Sequence, residues 1–438
     1  MNPENKHATA VTPAAGLTLS EAIAGTWPLL LGMGILMLGA GLQGTLLGLR
    51  ATLEGFPAYI TGMVMSCYFL GYMAGSVATP RLVQQVGHVR VFAALTALAS
   101  VAILVQGVFV TPLLWSVARI ASGFCFAGIY VVAESWLNDR AGNHNRGALL
   151  STYMVVLYGG LGSGQFLLML ADPGNTRLFM LIAGLISLAL VPMALTAQRA
   201  PEFNVPESIS LRSLYRSSPL GVVGVAASGA ITASVFTMGP VYAHLLELST
   251  GQIATFMATG IFAAVFTQLP LGRFSDRVDR RNILIAVCTL ASLTAASAMM
   301  FGKQSVFALL GLSAVFGGLA LTIYSLALSH VNDHLHPAQM VAASSSLILL
   351  NGAGAVCGPV AVATLMSLWR PEAYFASLAM LTALLALYGI WRKQRRAPVP
   401  PEQKVHFVAA QPQAVSGPML VGANEALEAL KEAGHDSR

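Results

Sequence analysis

The chain predicts an all-α integral membrane protein, with twelve transmembrane helices in two pseudo-symmetric six-helix bundles. Three observations lead there. Only 10% of its 438 residues are charged and 55% are hydrophobic, against about 25% charged in a typical soluble domain. A soluble surface is built from charge, so that shortage, with a mean hydropathy of +0.69, makes lipid the main solvent. The apolar residues gather in twelve blocks of spanning length, and the second six blocks repeat features of the first six.

A spanning helix needs about 20 predominantly apolar residues to cross roughly 30 Å of hydrocarbon. Blocks of that length lie at 26–49, 58–79, 91–110, 112–138, 148–170 and 177–198, then at 219–246, 252–271, 283–301, 305–331, 340–366 and 372–392. Residues 1–25 are mixed and polar, with no apolar run behind a basic start. The first block therefore reads as a true span and not as a cleaved leader. Between the two sets lies QRAPEFNVPESISLRSLYRSSP, whose three prolines and charges mark 199–218 as a linker. Residues 393–438, rich in Pro and Ala, read as a largely disordered tail. Its ANEALEALKEAG is short enough to be marginal as an isolated helix.

Orientation follows from Lys and Arg. In this topology 19 of the 24 fall on one side and four (Arg50, Arg177, Lys303, Arg370) on the other, with Arg119 inside a span. Both termini are thereby expected in the cytoplasm, and a bacterial-type inner membrane is the expected location. The net charge of +6 is spread between apolar blocks without basic-aromatic clusters, so no nucleic-acid partner is expected. The four cysteines (Cys67, Cys125, Cys288, Cys357) are widely spaced in apolar stretches, with neither a disulfide framework nor a zinc pattern. No GxxxxGK[ST] occurs, which excludes ATP-driven transport within this chain, and no nucleophile–base set suggests an enzyme. Lipid, a small solute and protons are the expected partners of a monomer without cofactor.

The halves repeat each other. PRLVQQVGHVR after the second block and GRFSDRVDRR after the eighth align with an offset of 192, Arg81 on Arg273 and Val86 on Val278. GFCFAGIYVVAESWLND and GGLALTIYSLALSHVND align with an offset of 194. Gly123 then meets Gly317, Tyr130 meets Tyr324, and Asn138-Asp139 meets Asn332-Asp333. Gly160 and Gly164 of the fifth block meet Gly354 and Gly358 of the eleventh. Three matches in the same order indicate a duplicated six-helix unit.

Over residues 20–395 the chain resembles the major facilitator superfamily of secondary transporters. GRFSDRVDRR matches that family's Gly-x-x-x-Asp-Arg-x-x-Arg-Arg loop through Gly272, Asp276, Arg277, Arg280 and Arg281, and the first-half copy is degraded. RIASGFCFA, with Arg119, Gly123 and Ala127, resembles the family's fourth-helix motif. The resemblance implies a solute site near the bilayer midplane, lined by spans one, four, seven and ten, with two bundles that rock to expose it alternately. The family's drug–proton antiporters carry a Gly-Pro-rich motif in span five. Here Gln165 stands where the Pro would fall, and Gly358-Pro359 survives only in span eleven.

Charges within or at the edges of spans reduce to Arg119, Glu134, and the pair His244 and Glu247. A charge at a helix centre costs about 2.5–3.5 kcal/mol on insertion scales, so each needs a reason. Arg119, about 10 Å into its helix, either snorkels outward or faces the cavity and holds an anionic group, for which its fork is suited. Glu134 lies about 22 Å further along the same helix, out of reach of Arg119. It carries a proton near the inner mouth, faces the interface, or closes an inner gate. The gate reading comes from IYVVAESWLNDRAGNHNRGALLS, which resembles the family's sugar-porter branch. That resemblance implies pairing of Glu134 with Arg81, Arg90 or Arg146, in a gate that includes Asp139, Asp333 and the 272–281 motif. His244 and Glu247, three apart, form either an outer gate or an ordinary interfacial pair. His330, His334 and His336 share a loop but lack a carboxylate or thiol set for a metal. Gln43, Tyr130, Thr232, Tyr324 and Asn351 complete the cavity candidates, with Thr237 beside them.

The expected function is secondary active transport of a small polar or anionic organic solute by alternating access, coupled to protons. Proton-coupled efflux of amphipathic or cationic drugs is the alternative, and a non-transporting membrane solute sensor is the second.

Overall fold

The computed structural model describes residues 19–140, 146–195, 209–395, 404 and 407, and every regular element among them is helical. The first half holds α1 (Leu19–Leu53), α2 (Ala58–Val86), α3 (His88–Val108), α4 (Pro112–Arg140), α5 (Arg146–Phe166) and α6 (Arg177–Ala194). After α7 (Leu211–Ser217), the second half holds α8 (Pro219–Leu245), α9 (Thr250–Arg277), α10 (Arg280–Phe301), α11 (Val306–Asn332), α12 (Pro337–Leu368) and α13 (Ala373–Lys393). All but α7 are long and apolar enough to cross a membrane, twelve in all.

The helices overrun the apolar blocks. The first-half loop PRLVQQV continues α2 to Val86, with Pro80 inside the helix, and the chain turns only at Gly87, where φ is 94°. In the second half only Val278 and Asp279 separate α9 from α10, so most of GRFSDRVDRR is helix end and helix start. Two helices leaving the membrane together support each other's ends beyond the hydrocarbon, which hydropathy does not register. The linker differs in the same way. Its 211–217 portion forms α7, capped where the Ser210 hydroxyl accepts the Ser213 N–H at 3.3 Å. In the tail Lys393, Gln394, Arg395, Lys404 and Phe407 lie within the described residues.

The duplication is visible in the packing. In the first half α1 packs on α5 and α6, α2 on α4, and α3 on α4 and α6. The second half repeats each pairing: α8 on α12 and α13, α9 on α11, and α10 on α11 and α13. The aligned glycines explain part of the match. Gly160 and Gly164 let α5 approach the α1 backbone at Gly34 and Leu38, as Gly354 and Gly358 let α12 approach α8 at Ala226 and Ala230. A Cβ at any of the four would overlap a carbonyl oxygen. Small residues that admit a neighbouring backbone are the usual means of close packing where lipid supplies no hydrophobic drive.

Between the halves α2 packs on α12 and α5 on α9, with α1 against α8 on the pseudo-twofold axis. These contacts hold the halves together at the face carrying Arg50 and Lys303. There the Tyr59 N–H donates to Ser367 Oγ at 3.1 Å, and Gly48 lies against Thr237 and Pro240.

Candidate functional site

A central cavity with about 1000 Å³ of empty space, mouth included, lies between the halves. α1, α2, α4 and α5 wall it on one side, and α8 and α12 on the other. Spans one, four and seven line it as expected, but span ten (α11) does not. Gly317 brings α11 against Gly260 of α9, and Tyr324 packs in an apolar cluster with Leu214, Val225 and Leu347 and does not line the cavity. α2 and α12, which meet at Met73 and Gly352, take the place expected for α11.

Arg119 is the one charged residue on the wall among the described residues. It is 5% exposed, so its stem does not carry the charge out to the interface. Gly123, one turn on, packs against the backbone of Tyr68 and brings α4 close to α2. The Arg119 guanidinium carbon consequently lies over the Tyr68 ring, 4.4 Å from its centroid. Its Nε has no hydrogen-bond partner, and the ion pairs among the described residues all lie elsewhere. A desolvated cation–π contact contributes about 2 kcal/mol, while taking the charge out of water costs several kcal/mol. The ring alone leaves a deficit that an anion in the cavity would offset.

The uncharged candidates divide. Gln43 and Thr232 are 3% and 4% exposed, and Gln43 Nε2 and Thr232 Oγ1 lack partners. Asn351 lines the cavity, but its Nδ2 is committed to the Val225 carbonyl at 3.0 Å and Ser228 Oγ at 3.1 Å, tying α12 to α8. Thr237 Oγ1 donates to its own helix at the Ala233 carbonyl. Tyr130 lines the wall and donates to Met37 Sδ at 3.2 Å.

Glu134 lies deeper on α4, fully buried and off the cavity wall. Tyr72, Tyr130, Tyr153 and Tyr324 are close enough to sense its charge. Tyr72 and Tyr130 also line the cavity. The expected pairing with Arg81 or Arg90 does not form: both are exposed, and no described ion pair links either to Glu134. Glu134 sits six residues, about 9 Å, before the end of α4, while those arginines keep their hydration at the helix ends beyond. The side chains of Asp139 and Arg146 lie outside the described residues.

The second-half motif forms a network within its own half. Arg280, 1% exposed, bridges Asp276 of α9 at 2.7 Å and Asp333, just past α11, at 3.3 Å. Arg281 pairs with Asp279 at 2.7 Å. Gly272 is buried and Arg277 is exposed. These residues clamp α9, α10 and α11 together at one face, and the ion pairs they make among the described residues lie within the second half. The outer pair also fails to form. α8 ends at Leu245, and Glu247 lies exposed in the following turn with φ of 59°, so His244 and Glu247 share no helix face.

Tyr68, Phe126, Phe236 and Gln165 are wall residues that sequence reasoning did not select. Gln165 accepts from Thr45 Oγ1, joining α5 to α1. An aromatic inside an apolar block reads as core, and only the unpaired Arg119 one helix away signals that Tyr68 has a partner. Among the described residues no cluster of His, Cys, Asp and Glu has metal-binding geometry, His330 and His334 included.

Comparison with known proteins bears on this arrangement. The family model described as Major Facilitator Superfamily matches residues 29–348 and 251–430. An uncharacterised MFS-type transporter, YcaD, from Salmonella arizonae is 28% identical over 336 residues, 76% of this chain and 86% of that protein. Its counterpart in Salmonella newport matches equally. Among solved structures, the nucleoside transporter NupG aligns with a TM-score of 0.71 at 13% identity, covering 84% of this chain and 98% of that one. A bacterial homologue of the human lysosomal transporter Spinster, inward-facing and occupied, aligns with a TM-score of 0.62 at 12% identity, covering 86% and 97%. At such identities the structural likeness is one of fold.

Proposed function

The chain belongs to the Major Facilitator Superfamily, a multi-pass membrane transporter by family, and from that premise we propose secondary active transport of a small anionic organic solute by alternating access. Arg119 carries this reading. A buried guanidinium over Tyr68, without a carboxylate partner, faces the space between two packed halves. An anion there would complete the charge.

Efflux of cationic drugs would need an attractor on the wall. The one charged wall residue among those described is itself a cation, and Glu134 lies off the wall. Protons are the coupling ion in this proposal. Glu134, reached from the cavity by way of Tyr72 and Tyr130, is the carboxylate that would carry them. The excess of basic residues on one side supports an inner-membrane placement with both termini in the cytoplasm.

Uptake of labelled organic anions into proteoliposomes, with and without an inward proton gradient, tests the reading. Wild-type protein is expected to accumulate an anion and Arg119→Gln to lose accumulation while remaining monodisperse. Loss of gradient dependence in Glu134→Gln, with exchange retained, would place the proton there. A protein that binds its solute and never exchanges it would be a sensor.

A further inference from the structure

We propose that the cavity selects a monoanionic carboxylate on a flat aromatic body, with no cationic group and with a second hydrogen-bonding group at its far end. This rests on the transport-site reading and narrows it to a solute class.

The charge on the wall sets the valence. Arg119 brings one positive charge and no described acidic residue lines the cavity. A dianion would bury one charge unmatched, and a zwitterion would bury its ammonium group unmatched, each at a cost of affinity. Phosphate esters and amino acids are disfavoured for the same reason. With the Tyr68 ring over one face of the guanidinium, the N–H fork at its edge remains for a carboxylate, which takes two parallel hydrogen bonds.

The walls set the body. Tyr68, Phe69, Tyr72, Phe126, Tyr130 and Phe236 surround the space, and flat rings pack well on such surfaces in offset or edge-on arrangements.

The remaining polar atoms set the far end. Gln43 Nε2 and Thr232 Oγ1 are buried on the wall without partners, whereas Thr45, Thr237 and the Asn351 Nδ2 are already engaged. Gln43 lies on α1 of the first half and Thr232 on α8 of the second, and these helices pack together. Arg119 approaches from α4, which packs mainly on α2 and α3 and also touches α1. All three side chains line one cavity, so a solute whose carboxylate is held by Arg119 shares that space with Gln43 and Thr232. A phenolic hydroxyl or carbonyl there would engage both halves at once.

Calorimetric titration of the purified full-length protein tests this with 4-hydroxybenzoate, benzoate, phthalate, the amino acid tyrosine and 4-hydroxybenzyl alcohol. 4-Hydroxybenzoate is expected to bind most tightly, benzoate about tenfold more weakly, and the dianion, zwitterion and alcohol about a hundredfold more weakly. Thr232→Val should remove the advantage of 4-hydroxybenzoate and leave benzoate unchanged. Arg119→Gln should bind neutral 4-hydroxybenzamide more tightly than the wild type does, a gain that a misfolded variant would not show. Tighter binding of phthalate or tyrosine, unchanged 4-hydroxybenzoate affinity in Arg119→Gln, or no aryl monocarboxylate binding by folded protein at millimolar concentration would each overturn the class. Counterflow in proteoliposomes separates the two levels. Arg119-dependent exchange of a different anion would leave the transport reading standing and remove this class. Aryl carboxylate binding without exchange would keep the class and remove transport.

Discussion

The Arg119 guanidinium carbon lies 4.4 Å from the centre of the Tyr68 ring, and this contact joins α4 to α2 at the cavity wall. Tyr68→Phe keeps the ring and is expected to keep both the melting temperature and anion binding. Tyr68→Leu removes the π face and should cost about 1–2 kcal/mol, read as a lower melting temperature in detergent. Equal melting of the two variants would show that the ring contributes only its bulk.

Arg280 is buried between Asp276 and Asp333. Breaking a buried pair by removing one partner costs about 3–5 kcal/mol, because the remaining charge stays behind. Asp333→Ala is expected near the lower end of that range, since Asp276 remains. The double variant Asp333→Ala with Arg280→Met should recover most of the loss in a thermal melt. No recovery would mean that Asp333 acts independently of Arg280.

Gly164 and Gly358 occupy equivalent places in the two halves, each against a carbonyl of the neighbouring helix, Leu38 and Ala230. Gly164→Val and Gly358→Val are expected to destabilise to similar extents, by about 1–3 kcal/mol each. A large effect at one and none at the other would argue against equivalent roles.

Asp279 caps α10, accepting the Arg281 N–H at 3.0 Å and pairing with its guanidinium at 2.7 Å. Burial raises its carboxyl, but the Arg281 hydrogen bonds and charge outweigh burial and hold it below the usual carboxylate range. A carboxyl with a depressed pKa in the folded state contributes stability at neutral pH. That contribution is lost as pH falls below about 4 and through the folded value. Asp279→Asn should lower the neutral melting temperature slightly, the pair being partly exposed and worth under about 1 kcal/mol. It should also flatten the acid decline. An unchanged acid decline in Asp279→Asn would assign it to other carboxylates.

The Phe407 N–H donates to both Asp276 carboxylate oxygens at 3.1 Å, its ring lies on Gly272, and Lys404 Nζ donates to the Val278 carbonyl at 2.6 Å. A side chain at Gly272 would occupy the place of the ring. Gly272→Val and Phe407→Ala are both expected to speed cleavage at Lys404 by a lysine-specific protease severalfold, as local opening becomes easier. Wild-type cleavage rates in both would show that the contact does not protect the chain.

The fold was legible because lipid imposes length and polarity on every span: twelve blocks and the aligned glycines sufficed. The place of Arg119, Gln43 and Thr232 on the cavity wall was legible for the same reason, as polar groups where hydrocarbon demands a purpose. Tyr68 was not, because an aromatic in an apolar span looks like core until its neighbour is known. Tyr324 misled because its alignment with Tyr130 is a property of the duplicated scaffold, while only one half carries a cavity face at that position. His244 and Glu247 failed through a helix end: one turn of chain past Leu245 undid a spacing argument that assumed continuous helix. The 272–281 motif was recognisable as a charged set, but whether its charges pair within a half or across the halves depends on tertiary geometry that spacing does not encode.

The most direct test of the central claim is anion uptake in proteoliposomes carrying wild-type protein or Arg119→Gln, matched for amount and monodispersity. Accumulation of an organic monocarboxylate by wild type and its loss in Arg119→Gln is the expected result. Equal uptake by both would contradict the claim that Arg119 receives the transported anion.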